Sequence, residues 1–298
     1  MNGLGSPPGE TPGPVIEAVV NISEGRDAAK IAALADAARS TGAAVLDIHT
    51  DADHNRSVLT LAGRPLEVAP AVEALAAACI ELLDIASHTG VHPRLGIIDV
   101  VPFVPLGFED AEPGWMASID EATAAACALA ALGLPVFFYD RMSVASTTLP
   151  LLRREAFGRL KPDAGPNIAH PSAGATALGV RGVLVAYNVD VADDLDDARQ
   201  IASVIRETEG GPPGVRALAM CLESQDRIQV SMNLTRPERI GVAEAWQAIL
   251  DAGGHPLRGE LVGLLPRSVF EATPQDILDA SHIDETCTIE FALEDAGL

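Results

Sequence analysis

Lysine is nearly missing from this chain. Lys30 and Lys161 are the only two, and the remaining basic residues are arginines. Lys and Arg together number 20 against 42 Asp and Glu, a formal charge of −22. A field of that sign repels phosphate backbones and anionic lipid, so nucleic acid and the membrane surface are excluded as expected partners. Scarce lysine beside abundant alanine reads as codon composition, and salt adaptation is the other plain explanation of the acidity. Cysteine is sparse as well. Cys79, Cys127, Cys221 and Cys287 lie far apart with no CxxC spacing, which fits a reduced, cytoplasmic chain and not a disulfide scaffold. No uninterrupted apolar run of about 18 residues occurs, because Glu73, Glu81 and Asp84 break the best candidate. The Gly/Pro/Ser-rich start has neither a basic nor an apolar signal region, so residues 1–14 are expected to be a disordered tail. GxGxxG, P-loop and GxSxG motifs are also missing, which leaves dinucleotide, nucleoside-triphosphate and serine-hydrolase chemistry unsupported.

What is present is a chain of 298 residues that is 48% hydrophobic, enough for one large domain or two compact ones. Val15–Val20 reads as a strand, followed by a helix from about Asp27 with Ile31, Leu34 and Ala38 on one face. Ala43–His49 and Ser57–Ala62 read as strands, and Pro65 opens a helix to about Ala86 with a stripe through Val68, Val72, Leu75, Cys79 and Leu82. Ile97–Val104 is the next strand, then a helix over 117–132 and a strand over Val136–Tyr139. The order β-α-β-β-α-β recurs later. Val183–Val189, a helix over Asp194–Glu209, a hairpin of Ala217–Glu223 with Ile228–Asn233, a helix over Val242–Ala252 and the strand Glu260–Leu265 repeat it. The doublet Asp193–Asp194 with Asp196–Asp197 reads as an acidic first helical turn. We expect an α+β (α/β sandwich) fold of two duplicated subdomains, 15–179 and 180–298, with a cleft between them. Residues 159–180, rich in glycine and proline, read as a structureless joint, functional or a linker.

The polar residues concentrate in two loops, HTDADHNR (49–56) and HTGVHPR (88–94), which hold four of the seven histidines and two arginines. Histidine suits proton transfer near neutrality, and Arg56 and Arg94 offer planar forks for carboxylates. Pro93 and the glycines Gly90 and Gly96 describe a tight loop presenting the imidazole of His92. His49, Asp51, Asp53 and His54 are possible metal ligands by type, yet they match no recognised ligand spacing and stand beside arginines, so no metal is expected.

These residues carry a resemblance. NISEGR (Asn21–Arg26), DIHTDADHNRSV (Asp47–Val58), HTGVHPRLGIIDVVPFVP (His88–Pro105) and LVGLLP (Leu261–Pro266) resemble glutamate formimidoyltransferases, in order, over about 15 to 280. The long HxGxHPRxGxxDVxPF string is the specific part. The resemblance implies transfer of a formimino group from N-formimino-L-glutamate to N5 of tetrahydrofolate, with reduced folate as co-substrate. It implies two ferredoxin-like βαββαβ subdomains around a ligand channel, with the cyclodeaminase domain of the animal enzyme absent.

By the same resemblance His92 is the catalytic histidine, Asn55 and Arg56 match a substrate-site pair, and Gly165–Gly174 is the folate-binding stretch. That stretch comprises Gly165, Pro166, Asn167, Ile168, Ala169, His170, Pro171, Ser172, Ala173 and Gly174. We expect His92 as general acid/base, with Asn55, Arg56 and Arg94 on substrate and His88, Asp99 and Asn21 in support. Thr89, Val91 and Ala173 depart from the family's usual Lys, Glu and Trp. The departures keep open a different formimino or formyl donor, a hydrolase, or a folate- or small-acid-binding protein without turnover. The sequence leaves a homodimer open.

Overall fold

A computed structural model of the chain describes residues 13–107, 112–222 and 225–298. The expected tail falls almost wholly outside them, as does Glu223. Strand β1 (Val15–Ile22) sets the plan of the first half. Side chains of a strand alternate between its faces. Ile16, Ala18, Val20 and Ile22 are fully buried on one face, while Glu17, Val19 and Asn21 point to the other. The apolar face packs on helices α1 (Ala28–Arg39), α2 (Val68–Leu82) and α3 (Glu112–Ala131) in one contiguous core. Asp27 starts α1 by accepting hydrogen bonds from the N–H groups of Ala29 and Lys30. Helix α2 begins at Val68, later than the proline signal suggests, and stops at Leu82, which is exposed. A short 3-10 turn over Ile85–Ser87 follows. Cys127 is exposed on α3, and all four cysteines are free.

β1 pairs antiparallel with β3 (Arg56–Gly63) and β4 (Ile98–Leu106), and β3 with β2 (Ala44–Asp51). Beyond β4 lie β6 (Thr176–Val180) and β5 (Val136–Asp140), both parallel to their neighbours, giving the order β2-β3-β1-β4-β6-β5. β6 is a correction to the sequence reading, because residues 159–180 are not structureless throughout. TALGV is short, small and fully buried between two parallel strands, so it shows none of the alternation that marks a half-exposed strand. A second unexpected element is α4 (Leu149–Glu155), announced only by Thr148 and a proline in its first turn.

The second half repeats the arrangement. β7 (Val185–Val191), α5 (Leu195–Val204), β8 (Val215–Leu222), β9 (Arg227–Leu234), α6 (Val242–Asp251) and β10 (Pro256–Val262) form a sheet of order β10-β7-β9-β8. Relabelled within each half, the first four strands of both sheets share one order, 4-1-3-2. Asp194 is the N-cap of α5, with Asp196 and Asp197 in its first turn. Asp193 instead accepts from the backbone N–H of His255, at 2.8 Å. Helices α5 and α6, with α7 (Arg267–Ala272) and α8 (Gln275–Ser281) beyond the last expected strand, cover the apolar face of this sheet. Helix α9 (Ile289–Ala296) brings Ile289 against Val104 and Leu106, an apolar seam between the halves. Helices α1–α3 and α5–α8 therefore cover the outside of the sheets, α4 and α9 lie on the inner side, and the rest of the two inner faces meet. Among the described residues, no helix is long and apolar enough to cross a membrane.

Candidate active site

The facing sheets present polar side chains where a sandwich core would present apolar ones. Register aligns them in rows across each sheet. His49, Val58, Asn21 and Val100 are successive partners across β2, β3, β1 and β4. Glu260, Asn188 and Ser231 do the same across β10, β7 and β9. Between the rows lies a cavity whose empty space, its open mouth included, is about 1210 Å³. Ligand pockets are usually roughly 300–1,000 Å³. His54, Arg56, His92 and Arg153 line it from the first half, and Asn188 and Ser231 from the second.

A buried ionic cluster forms one wall. Asp99 is 0% exposed, on β4. Its Oδ1 accepts from the Leu95 N–H at 2.6 Å, and its Oδ2 from Arg56 Nη1 and Arg153 Nη2, each at 2.7 Å. Burial pushes the Asp99 carboxyl up, yet Arg56, Arg153 and the Leu95 N–H together hold it below the usual carboxylate range. Arg56 also donates through Nε and Nη2 to Asn21 Oδ1, at 3.1 and 2.8 Å. Arg153 reaches Asp99 because Leu152, fully buried against Phe137 and Tyr139, anchors α4 to the sheet.

His92 stands beside these cations, its ring stacked on His54 with centroids 5.9 Å apart. Its Nδ1 donates to the Pro93 carbonyl at 2.7 Å, which leaves Nε2 with a free lone pair. Burial, then the Arg56 and Arg153 charges, push the imidazole down to about 3, so it is neutral in the free protein at physiological pH.

The loop carrying His92 is fastened from behind. Arg94 donates to the carbonyls of His88, Gly90 and His92 and contacts the His88 ring. The other nitrogen of that ring, Nε2, donates to the Asn55 carbonyl at 2.7 Å. Asn55 accepts from the Gly25 N–H and donates to the Thr89 carbonyl, each at 2.9 Å, tying three loops together. Gly90 allows this closeness, since a Cβ there would sit 2.3 Å from the His54 carbonyl oxygen. Arg94, Asn55 and His88 do not line the cavity. Their polar groups serve the loop, whereas Asn21, Arg56, His92 and the buried Asp99 converge.

A second wall, where the halves meet, has an acidic group behind it: His49 and Asn188 line the cavity, whereas Glu260 does not. Glu260 lies 3.6 Å from His49 Nε2 across the two halves, and its Oε2 accepts from Asn188 and Gln229 at 3.1 and 3.2 Å. His49, then Asn188 and Gln229, hold its carboxyl down at about 2 against the opposing effect of burial. Burial lowers His49, but Glu260, Asp47 and Asp51 outweigh it and raise the imidazole above its ordinary value. Among the described residues, no group of three or more His, Cys, Asp or Glu side chains could hold a metal ion.

Residues 15–181 match the family model for the formiminotransferase domain, N-terminal subdomain. The chain belongs to the formiminotransferase family. A glutamate formimidoyltransferase of Thermoplasma acidophilum is 32% identical over 95% of this chain and 98% of its own length. One of Streptococcus pyogenes serotype M1 is 34% identical over 91% and 95%. The formimidoyltransferase-cyclodeaminase of Sus scrofa is 32% identical over 85% of this chain but only 50% of its own length.

None of the ten residues from Gly165 to Gly174 lines the cavity. The segment runs from the exposed Gly165 to the buried Ala173, whose carbonyl accepts from Ile97 N–H at 3.0 Å directly behind the His92 loop. Ile168 is 74% exposed, whereas Ala173 is packed into the helix-covered core. Sequence reasoning missed Arg153, Glu260 and the polar wall of the second half. The signal was available in β7 and β9, where Asn188, Asp190, Gln229, Ser231 and Asn233 alternate with apolar residues buried on the helix side.

Proposed function

We propose that this chain transfers the formimino group of N-formimino-L-glutamate to N5 of tetrahydrofolate, giving 5-formiminotetrahydrofolate and glutamate. Family membership supports the reaction. The single observation that carries the mechanism is His92, its Nδ1–H committed to Pro93 and its Nε2 lone pair available in a cavity beside two arginines. N5 attacks the formimino carbon, the C–N5 bond forms, and the double-bond electron pair moves to the imino nitrogen. His92 Nε2 takes the N5 proton. The pair on the imino nitrogen then re-forms the C=N bond, the bond from carbon to the glutamate nitrogen breaks, and the same proton passes to that nitrogen as it leaves. Proton transfer of this kind contributes roughly 10²–10⁴-fold, and holding both substrates together adds up to about 7–11 kcal/mol in ideal geometry.

In this reading Arg56 meets a carboxylate of the donor, and Asn21 and Asp99 hold Arg56. Asn55, His88 and Arg94 position the loop, Arg94 doing so in place of the direct carboxylate contact its type suggests. Gly165–Gly174 is the folate-contacting surface, supported by the exposure of residues 165–169 and by the bond from Ile97 N–H to the Ala173 carbonyl behind the His92 loop. The division into two subdomains, placed just after β6 at Val180 and so one residue beyond 179/180, and the ferredoxin-like character of both draw support from the shared 4-1-3-2 strand order, and the ligand cleft from the polar faces that meet between them.

The test is accumulation of 5-formiminotetrahydrofolate when purified protein is given formiminoglutamate and tetrahydrofolate. Product formation dependent on both substrates is expected. Folate binding without transfer, or formiminoglutamate breakdown without folate, overturns the reading.

A further inference from the structure

Arg56 and Arg153 approach the same oxygen of Asp99, and they are not equally occupied. Arg56 spends Nη1 on Asp99 and both Nε and Nη2 on Asn21. Among the described residues Arg153 makes one hydrogen bond, through Nη2 to Asp99. Its Nε is buried, makes no hydrogen bond, and belongs to a side chain that lines the cavity. A guanidinium has five N–H donors, and a buried donor without a partner is uncommon in a folded protein. Asp99 meets only the Nη2 of Arg153, since its Oδ2 is shared with Arg56 and its Oδ1 accepts from Leu95 N–H. Two cations thus share one buried anion, and the surplus positive charge faces the cavity beside His92.

We propose that Arg153 is a specificity-determining residue that receives a carboxylate of the amino-acid substrate beside Arg56, with Asp99 as the common support of both arginines. The fork is planar, short of acceptors and one negative charge short of balance. Those features fit a carboxylate, which accepts two parallel N–H bonds. The acidic exterior favours no anion, so the selection is local to this wall. Binding also alters the base. Burial first, then Arg56 and Arg153, hold the His92 imidazole down in the free protein; a bound carboxylate offsets the two charges, so His92 gains basicity when the substrate is seated. Recognition and base activation become one event. The identity of the substrate as formiminoglutamate rests on the preceding reading, whereas the carboxylate site does not.

The experiment uses the full chain with Arg153→Gln and Arg153→Lys, with glutarate as a folate-free dicarboxylate probe. Calorimetry is expected to show glutarate binding to the unmodified protein, weakened about 10- to 100-fold in Arg153→Gln, the loss usual for a charged hydrogen-bonding partner. Arg153→Lys restores the charge without the fork and recovers part of the affinity. NMR of the His92 ring is expected to show its titration moving upward with glutarate in the unmodified protein but not in Arg153→Gln. A merely structural role for Arg153 would not move that signal. The KM for formiminoglutamate is expected to rise more than kcat falls. No glutarate binding by the unmodified protein, or equal affinity in Arg153→Gln, overturns the proposal. If Arg153→Gln does not fold, the Lys variant decides, with unmodified affinity counting against the fork. Glutarate binding lost in the variant, in a protein that transfers no formimino group, would sink the donor assignment and leave the carboxylate site standing.

Discussion

Two of the histidines that line the cavity, His92 and His49, are driven in opposite directions by their surroundings. His92 stands among Arg56, Arg153 and His54 and is held down at about 3. His49 stands among Asp47, Asp51 and Glu260 and is raised. Both feel burial, which disfavours charge on either, so the neighbours decide the difference. The first wall belongs wholly to the first half of the chain. The second exists only where the halves meet, since Glu260 comes from β10 and His49 from β2. Arg56 and Arg153 face the cavity beside His92, whereas the Glu260 carboxylate lies behind His49 and does not line it. The cavity separates a neutral imidazole able to accept a proton from one that holds its own.

The sharpest way to break this comparison is to remove each histidine in turn. His92→Ala is expected to lower kcat by roughly 10²–10⁴-fold with a smaller change in KM, the range for loss of a positioned acid/base. His49→Ala is expected to cost far less, because its partner Glu260 retains Asn188 and Gln229. Steady-state kinetics on both variants checks this, and comparable losses in kcat would remove the asymmetry between the walls.

A second contrast lies in what holds each wall together. Asp99→Asn removes the one anion that, among the described residues, Arg56 and Arg153 share, while keeping the side chain's shape. Breaking a buried ion pair by removing one partner typically costs about 3–5 kcal/mol, because the remaining charge stays buried. Denaturant unfolding should register a loss in that range, and formimino transfer should fall with it as the arginines and the Leu95 turn lose their common acceptor. Stability within about 0.5 kcal/mol of the unmodified protein, the range usual for surface changes, would show that the cluster does not organise this wall.

How much of this was legible beforehand follows the same division. The first wall was largely readable, because Asn21, Arg56, His92 and Asp99 sit in dense polar loops or at strand ends within one half of the chain. The duplicated β-α-β-β-α-β order was readable from periodicity for the same local reason. Arg153 was hidden, since a seven-residue helix leaves too short a pattern to register. β6 was hidden because a fully buried parallel strand does not alternate. Glu260 could not be paired with His49 at all. Their contact spans 211 positions and is set by how two separate sheets face each other, which no local spacing encodes. The loop around His92 was readable as rigid, but whether Arg94 faces substrate or its own backbone depends on the fold of the turn.

The smallest effect concerns the second wall and is read in its pH dependence. Glu260 is ordinarily half-protonated at 4.5 and in the fold at about 2, so its contribution to stability is present above 4.5 and is lost as pH falls toward 2. His49 is raised from 6.5, so its contribution is fully present below 6.5 and is lost as pH rises through its higher folded value. The bridge therefore stabilises most between about 4.5 and 6.5 and fades on both sides. Glu260→Gln removes the carboxylate and leaves hydrogen-bonding groups for Asn188 and Gln229. Its Tm deficit relative to the unmodified protein is expected to be largest in that window and to shrink toward pH 2 and above neutrality. NMR should show the His49 titration moving down in the variant while that of His92, on the other wall, stays where it was. A deficit independent of pH would assign Glu260 to packing alone, and a parallel shift in His92 would mean that the two ends of the cavity are one electrostatic unit.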